Sequence, residues 1–239
     1  MSIGRVLLII FVSFVFVFLY IFVLKKYIEK YKGYKRYILF MIIPIIIFIK
    51  FASELIEDEL IGFDNISYNI IKTISSEKMT MFMKIVSQMG SSVVIATLTL
   101  ATIFSLIYFK KDKIYWKLLI FNLLIALGMN MFLKYTFVRP RPDVDRLVQA
   151  SGFSFPSAHA MISLCFYGYI AYILLTNMKS NIKYVYATII YILIFLIGIS
   201  RIYLGVHYAS DVVAGYFAGT SILAISCTCV KYVKDHKVI

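Results

Sequence analysis

The chain has 239 residues, of which 62% are hydrophobic and only 15% are charged, and its formal net charge is +13. A soluble domain is roughly half apolar and about a quarter charged, so this composition excludes an ordinary water-soluble protein. It does not favour nucleic acid as a partner either, because most lysines lie in short segments between apolar runs. Cations in such segments orient membrane helices and contact anionic lipid headgroups.

Seven apolar runs predict an all-α, polytopic membrane helix bundle. Apolar runs of about 18 or more residues are typical of membrane-spanning helices. In chain order, the predicted spans cover residues 6–24, 37–53, 85–109, 118–138, 156–178, 184–203 and 208–230. The first run is interpreted as a retained span, because a basic segment follows it instead of the small residues of a signal cleavage site.

An acidic segment, residues 54–84, separates the second and third spans and holds half of the aspartates and glutamates. Ile66, Ile70, Ile71 and Ile74 recur in it at helical spacing, which predicts an amphipathic helix on the membrane surface. The sequence leaves two roles open for this helix, which either caps a site or only connects two spans.

The charges between the spans predict the orientation of the bundle. Four segments carry fifteen of the 25 lysines and arginines: residues 25–36, 110–117, 179–183 and 231–239. The positive-inside rule places these segments in the cytoplasm. We therefore expect a multi-pass protein of the cell membrane whose polar clusters share the extracytoplasmic face. The predicted organisation has three parts, which are N-terminal spans with the acidic segment (1–84), a core (85–232) and a basic cytoplasmic tail (233–239).

A first polar cluster lies between the fourth and fifth spans. Its lysine, arginines and histidine are Lys134, Arg139, Arg141, Arg146 and His159. Pro156 and Ser157 predict the start of a helix, with Ser157 as the N-cap. The free N–H groups of the first helical turn, around Ala158, together with the helix dipole, favour the binding of an anion.

A second polar cluster, Arg201, His207 and Asp211, lies between the sixth and seventh spans. His207 and Asp211 are four residues apart, so a helix start would place them on one face. A carboxylate bound to one imidazole nitrogen leaves the other nitrogen as a lone-pair donor, which makes His207 a candidate nucleophile toward phosphorus. The alternative for an isolated pair of this kind is a histidine that only caps a helix.

The remaining polar residues complete a candidate phosphate-ester site. His159 is predicted to protonate a leaving oxygen and then to deprotonate water. Lys134, Arg141 and Arg201 are predicted to hold phosphoryl oxygens, since arginine forms bidentate bonds with phosphate. Arg139 and Arg146 are interpreted as loop cations. The acids are not clustered as a metal site requires, so no metal and no cofactor are predicted.

Gly215 and Gly219 in the last span predict close helix packing, because small residues four apart let membrane helices approach each other. We expect this packing to keep the second polar cluster near the first. A dimer face is the alternative, and the sequence does not predict an oligomeric state.

Three motifs resemble the signature of the type 2 phosphatidic acid phosphatase superfamily, which includes bacterial acid phosphatases and vanadium haloperoxidases. The first has Lys, six residues and Arg-Pro, as in Lys134–Pro142. The second is Pro-Ser-x-His, as in Pro156–His159, with alanine where glycine is commonest. The third has Ser-Arg, five residues, His, three residues and Asp, as in Ser200–Asp211.

This resemblance, which covers roughly residues 85–230, implies a phosphohistidine at His207, support from Asp211 and general acid catalysis by His159. It implies phosphate contacts from Lys134, Arg141, Ser157, Ala158 and Arg201. It also implies a six-helix core with its site at the extracytoplasmic side, so the run at residues 6–24 would be an extra N-terminal span.

We therefore expect a lipid phosphatase whose substrate presents its phosphate at the membrane interface. Isoprenyl diphosphates such as undecaprenyl diphosphate, phosphatidic acid and phosphatidylglycerophosphate are all compatible with these residues. The alternative is a transporter or flippase that binds a phosphorylated lipid with the same cations and does not hydrolyse it. Haloperoxidase chemistry on bound vanadate is disfavoured, because the chain is embedded in the membrane.

Overall fold

The computed structural model describes residues 35–144 and 146–236, and within them the chain forms eight helices. In chain order they are α1 (Lys35–Ile56), α2 (Ile61–Thr73), α3 (Glu77–Met89), α4 (Ser92–Tyr108), α5 (Lys113–Phe137), α6 (Ala158–Asn177), α7 (Ile182–Tyr203) and α8 (Ala209–His236). The all-α prediction is confirmed. The predicted span at residues 6–24 lies outside the described residues.

Four of these helices, α5 to α8, are long and apolar enough to cross a membrane. They match the last four predicted spans to within a few residues, except that α8 continues to His236. Helices α3 and α4 together form a fifth candidate span. The helix predicted over 37–53 is present as α1, but it is not among these candidates.

The predicted span over residues 85–109 is divided between two helices, because α3 and α4 meet at an angle of 50°. The break falls at Gly90 and Ser91, where α3 ends and α4 begins. The Ser91 hydroxyl caps α4 by accepting a hydrogen bond from the backbone N–H of Val94 at 3.4 Å. A serine N-cap satisfies an otherwise unpaired donor, so the second helix can start here.

Helices α6 and α8 form the centre of the bundle. In each of these two helices, 56% of the most apolar 18-residue stretch is buried, compared with 22% in α5 and in α7. A Cβ atom on Gly215 would lie 2.8 Å from the Ser157 carbonyl oxygen, and one on Gly219 would lie 2.8 Å from that of Met161. The predicted close packing of these glycines against a neighbouring helix is therefore confirmed.

A helix is present in the acidic segment, as α2; its position on the membrane surface stays a prediction. Ile66 and Ile70 are exposed on one face, whereas Ile71 packs against the buried cluster around Tyr203. Asp64, on the same helix, is buried with an exposed fraction of 3%. Helix α2 thus presents apolar side chains outward and a carboxylate inward, next to the turn that precedes α8.

Two connecting segments meet at one end of the bundle and form the site. The loop between α5 and α6 is joined to the turn after α7 by a hydrogen bond from the Leu147 N–H to the Leu204 carbonyl oxygen, 3.1 Å long. A second bond, 2.9 Å long, runs from the Ser157 N–H to the Asp211 carbonyl oxygen. The starts of α6 and α8 are therefore adjacent, and they carry the two polar clusters predicted from the sequence.

Candidate active site

His207 and Asp211 are held together by the turn that follows α7. Gly205 adopts a left-handed φ of 71°, and the His207 N–H donates to the Arg201 carbonyl oxygen at 3.3 Å. The sequence suggested a helix start for His207, but the residue lies two positions ahead of α8, which begins at Ala209. Its Nδ1 is nevertheless 3.2 Å from Asp211 Oδ2, which also accepts the Tyr208 N–H at 3.0 Å.

The imidazole of His207 is almost fully buried, with an exposed fraction of 3%. Burial lowers its pKa to about 4, although the hydrogen bond and charge of Asp211 oppose this shift; Arg141 and Lys134 lower it further. The ring is therefore neutral at pH 7. With Nδ1–H donating to Asp211, Nε2 carries the lone pair, and Arg141 Nη1 lies 3.3 Å from it.

Arg141 points into the site while backbone carbonyls hold its guanidinium. It donates to the carbonyl oxygens of Val206 at 2.7 Å, Ser151 at 2.8 Å and Gly152 at 3.1 Å. No carboxylate forms an ion pair with it among residues 35–144 and 146–236. Burial lowers the pKa of Arg141; the charge of Asp211 opposes this shift, and the nearby Arg146 adds to it. Its positive charge is uncompensated, as suits an anion-binding residue.

Lys134 and Arg201, the other two cations predicted to hold phosphate, also have no ion pair within the described structure. Lys134 Nζ donates to the carbonyl oxygens of Phe153 and Ser154. Arg201 is buried, and its Nη1 donates to the Ser87 hydroxyl at 2.6 Å. The Nε of Arg201 is also buried and has no partner within the described structure. Such a donor needs an acceptor, and a phosphoryl oxygen fits it.

His159 lies in the first turn of α6, beside the break between α3 and α4. A Cβ atom on Gly90 would lie 3.1 Å from His159 Cδ2, so this helix break closes one side of the site. The charged or titratable groups that act on His159 are Arg201, His207, Arg141 and Lys134. Residues of the first and third motifs, distant along the chain, therefore lie close enough to His159 in the second motif to act on it electrostatically.

Ser157 precedes α6 as predicted, but its hydroxyl does not cap the helix. The Ser157 Oγ is buried and without a hydrogen-bond partner among the residues that the structure describes. The backbone N–H of Ser157 is bound to the Asp211 carbonyl oxygen, so only the hydroxyl is left to donate. Ala158 is the first residue of the helix and lies at its N-terminus, where the dipole favours an anion.

Arg139 lies in the loop between α5 and α6, as the sequence indicated, but its side chain is fixed by two buried carboxylates. Its Nη1 donates to Asp211 Oδ1 and Ser210 Oγ, and its Nη2 donates to Asp64 Oδ2, each at 2.7 Å. Its guanidinium carbon also lies 3.9 Å from the centre of the Tyr208 ring. Burial alone would lower the pKa of Arg139, but Asp211 and Asp64 more than offset that and raise it. Sequence spacing gave no sign of this pairing, because Asp64 is far away in the chain.

Arg146 differs from Arg139, since its side chain stays within its own loop and donates to the Pro142 carbonyl oxygen at 3.0 and 3.2 Å. Ser87 was also missed, because a serine in an α-helix carries no distinctive pattern. Among the described residues, no group of three or more His, Cys, Asp and Glu side chains is placed to hold a metal ion. The metal-free site stays a prediction.

Comparisons with known proteins agree with this arrangement. The model of the PAP2 superfamily matches residues 115–235. Phosphatidylglycerophosphatase B of Bacillus subtilis is 42% identical over 96 residues, which are 38% of this chain and 46% of that protein. The matched stretch thus spans less than half the length of that curated relative.

Two crystal structures have a similar fold. One is described as the first transmembrane PAP2 type phosphatidylglycerolphosphate phosphatase, from Bacillus subtilis; it has a TM-score of 0.77 and 26% identity, over 83% of this chain and 100% of that one. The other is Aquifex aeolicus LpxE, with a TM-score of 0.55 and 29% identity, over 67% of this chain and 92% of that one.

Proposed function

This chain belongs to the PAP2 superfamily of membrane lipid phosphatases, and we propose that it hydrolyses a lipid phosphate ester through a phosphohistidine at His207. The observation that carries this role is the pair of contacts on the buried imidazole. Nδ1 is fixed by Asp211 at 3.2 Å, and Nε2 faces the uncompensated charge of Arg141 at 3.3 Å. A neutral, oriented imidazole beside cations is suited to attack an anionic phosphoryl group.

In the first step, the lone pair of His207 Nε2 forms a bond to phosphorus as the bond from phosphorus to the lipid oxygen breaks. His159 donates a proton to the departing oxygen, which leaves as an alcohol or as a phosphate. Asp211 stabilises the positive charge that develops on the His207 ring. In the second step, His159 takes a proton from water, which attacks phosphorus and breaks the bond between phosphorus and nitrogen.

The phosphoryl oxygens are held in this proposal by Lys134, Arg141, Arg201, the Ser157 hydroxyl and the N–H of Ala158. Support comes from the lack of any ion pair to the three cations among the described residues and from the partnerless donors at Arg201 Nε and Ser157 Oγ. Fixed donors of this kind stabilise the charge of the transition state without reorganising.

We propose phosphatidylglycerophosphate as the first substrate to test, because two of the similar proteins are named for it. Phosphatidic acid and isoprenyl diphosphates also present a terminal phosphate on an apolar tail, and the phosphate-contacting residues do not distinguish them. The fifteen cations in the four segments that the sequence predicts to be cytoplasmic favour an extracytoplasmic site.

The test is an assay of phosphate release by the purified protein against these three lipids. Wild type is expected to hydrolyse at least one of them, with inhibition by vanadate, which mimics five-coordinate phosphorus. His207→Ala is expected to lose on the order of 10³-fold or more of the rate, as for other catalytic nucleophiles. Turnover by His207→Ala at a rate near that of wild type would contradict the nucleophile assignment.

Binding of these lipids without phosphate release, by a monodisperse wild-type sample, would favour the transporter alternative. Arg146→Gln serves as the matched control, because this arginine contacts only its own loop. It is expected to leave the hydrolysis rate within about twofold of wild type, since a single exposed contact contributes little.

A further inference from the structure

A buried carboxylate from outside the segment matched by the family lies behind the candidate nucleophile. Asp64 is on α2, and its Oδ1 accepts the Ser210 N–H at 2.8 Å. Its Oδ2 accepts the Ser210 hydroxyl at 2.8 Å and Arg139 Nη2 at 2.7 Å. Both oxygens are therefore fully engaged, and only 3% of the residue is exposed.

Arg139 connects this carboxylate to Asp211. One of its terminal nitrogens binds Asp64 and the other binds Asp211, each at 2.7 Å. A planar guanidinium can bridge two carboxylates in this way, whereas a lysine ammonium acts as a single point charge. The charges consequently alternate from the imidazole of His207 outward as negative, positive and negative.

We propose that Asp64 is a positioning residue for the reaction, acting through Arg139 on Asp211 and thereby on His207. This role rests on the proposed function, because it matters only if His207 takes part in catalysis. Asp64 touches neither the imidazole nor the pocket for the phosphate. It fixes the guanidinium, and the guanidinium fixes the carboxylate that holds His207 Nδ1.

The physical effect of Asp64 is on charge as well as on geometry. Without it, the full charge of Arg139 would face Asp211 alone and would draw that carboxylate away from the imidazole. Asp211 would then stabilise less of the positive charge that forms on His207 during attack. Supporting residues that orient a functional side chain typically change activity by roughly 10- to 100-fold when they are removed.

The position of Asp64 gives α2 a role that its sequence left open. The helix exposes Ile66 and Ile70 on its outer face and inserts Asp64 between Arg139 and Ser210 on its inner face. Helix α2 therefore helps to fix the residues that position His207, and it does not only connect α1 to α3.

The test measures the single-turnover rate constant of phosphate release from a lipid that wild type hydrolyses, with enzyme in saturating excess. This rate constant does not depend on the fraction of folded enzyme, so a merely structural loss would not change it. Asp64→Asn removes the charge while keeping the shape, and it is expected to slow the step by about 10- to 100-fold with KM within about twofold of wild type.

Glu59→Gln is the matched control, because it removes an exposed carboxylate five residues away. It is expected to retain the wild-type rate constant. Asp64→Asn at the same rate as this control would overturn the positioning role while leaving the proposed function intact. Failure of wild type to release phosphate would instead overturn the proposed function.

Arg139→Lys provides a second variant that does not depend on the folding of Asp64→Asn. It keeps the charge but cannot bridge both carboxylates, so it is expected to slow the step to a similar extent. Adding Asp64→Asn to Arg139→Lys is expected to cost less than about threefold more, since coupled residues are not additive. A wild-type rate in Arg139→Lys, or fully multiplicative losses, would contradict action through Arg139.

Discussion

Two groups of cations border the same site and differ in what compensates their charge. Arg139, on the side of α2, binds two buried carboxylates at 2.7 Å each. Lys134, Arg141 and Arg201 pair with no carboxylate within the described structure; they donate to carbonyl or hydroxyl oxygens, and Arg141 also lies 3.3 Å from His207 Nε2. The first group is electrically balanced by the protein itself, and the second is not.

This difference separates residues that shape the site from residues that receive an anion. A buried cation without a counter-charge is costly, so such a group indicates a place where a ligand supplies the missing charge. A cation fixed between two carboxylates has no capacity left for a phosphate and acts on its neighbours instead. The motifs set Lys134, Arg141 and Arg201 apart from Arg139 in the sequence, but only the partners in the structure show what Arg139 does instead.

The largest expected difference between the two groups is in the binding of phosphate itself. Arg201→Met is expected to lower kcat/KM by roughly 10²- to 10³-fold, because it removes a donor that is directed at the developing charge. It is also expected to weaken inhibition by vanadate by at least tenfold. Asp64→Asn, on the balanced side, is expected to weaken vanadate inhibition less than Arg201→Met does, and equal losses in the two variants would abolish the distinction.

A smaller effect concerns the pH dependence that the burial of His207 imposes. Because the pKa of His207 is lowered to about 4, its neutral, nucleophilic form persists as the pH falls from 7 to 5 and is lost as the pH passes below about 4. The acid limb of kcat/KM is therefore expected near pH 4. An ordinary histidine with a pKa of about 6.5 would lose roughly thirtyfold by pH 5. If kcat/KM, measured over a series of pH values, falls with an apparent pKa near 6.5, the lowered pKa of His207 is refuted.

The smallest expected effect is at Ser87, which holds Arg201 from α3 at 2.6 Å. Ser87→Ala removes one hydrogen bond to a charged group, and a decrease of about tenfold in kcat/KM is expected. Ser91→Ala, at the start of the next helix, is the control, since Ser91 only caps α4. Equal decreases in kcat/KM for both variants would indicate that each disturbs the packing of α3 and α4, and not the contact between Ser87 and Arg201.

The motif residues could be predicted from the sequence because their chemistry is local. His207 and Asp211 lie four residues apart, Ser157 stands at a helix start, and each apolar run has the length of a span. The contacts of Asp64 and Ser87 could not be predicted, because each joins residues more than 70 positions apart. The one sign of Asp64 that the sequence carries is a carboxylate within an isoleucine-rich helix.

The bend between α3 and α4 illustrates the same limit. Hydropathy alone indicates one continuous span from residue 85, since both halves are apolar. The break at Gly90 depends on tertiary packing, because a Cβ there would lie 2.6 Å from Ile197 Cγ2 and 3.1 Å from His159 Cδ2. Hydropathy measures how apolar a segment is. It does not show which neighbouring side chain limits the size of a single residue.

The contact between Gly215 and the carbonyl oxygen of Ser157 has a consequence for how this site varies. The close approach of the two helix starts that carry His159 and hold His207 depends on the missing side chain of Gly215. The methyl group of an alanine at position 215 would clash with the Ser157 carbonyl oxygen. It would push the two helix starts apart without changing any reactive group. Among related chains, an intact set of motif residues accompanied by a bulkier residue at this position would therefore mark a misaligned enzyme.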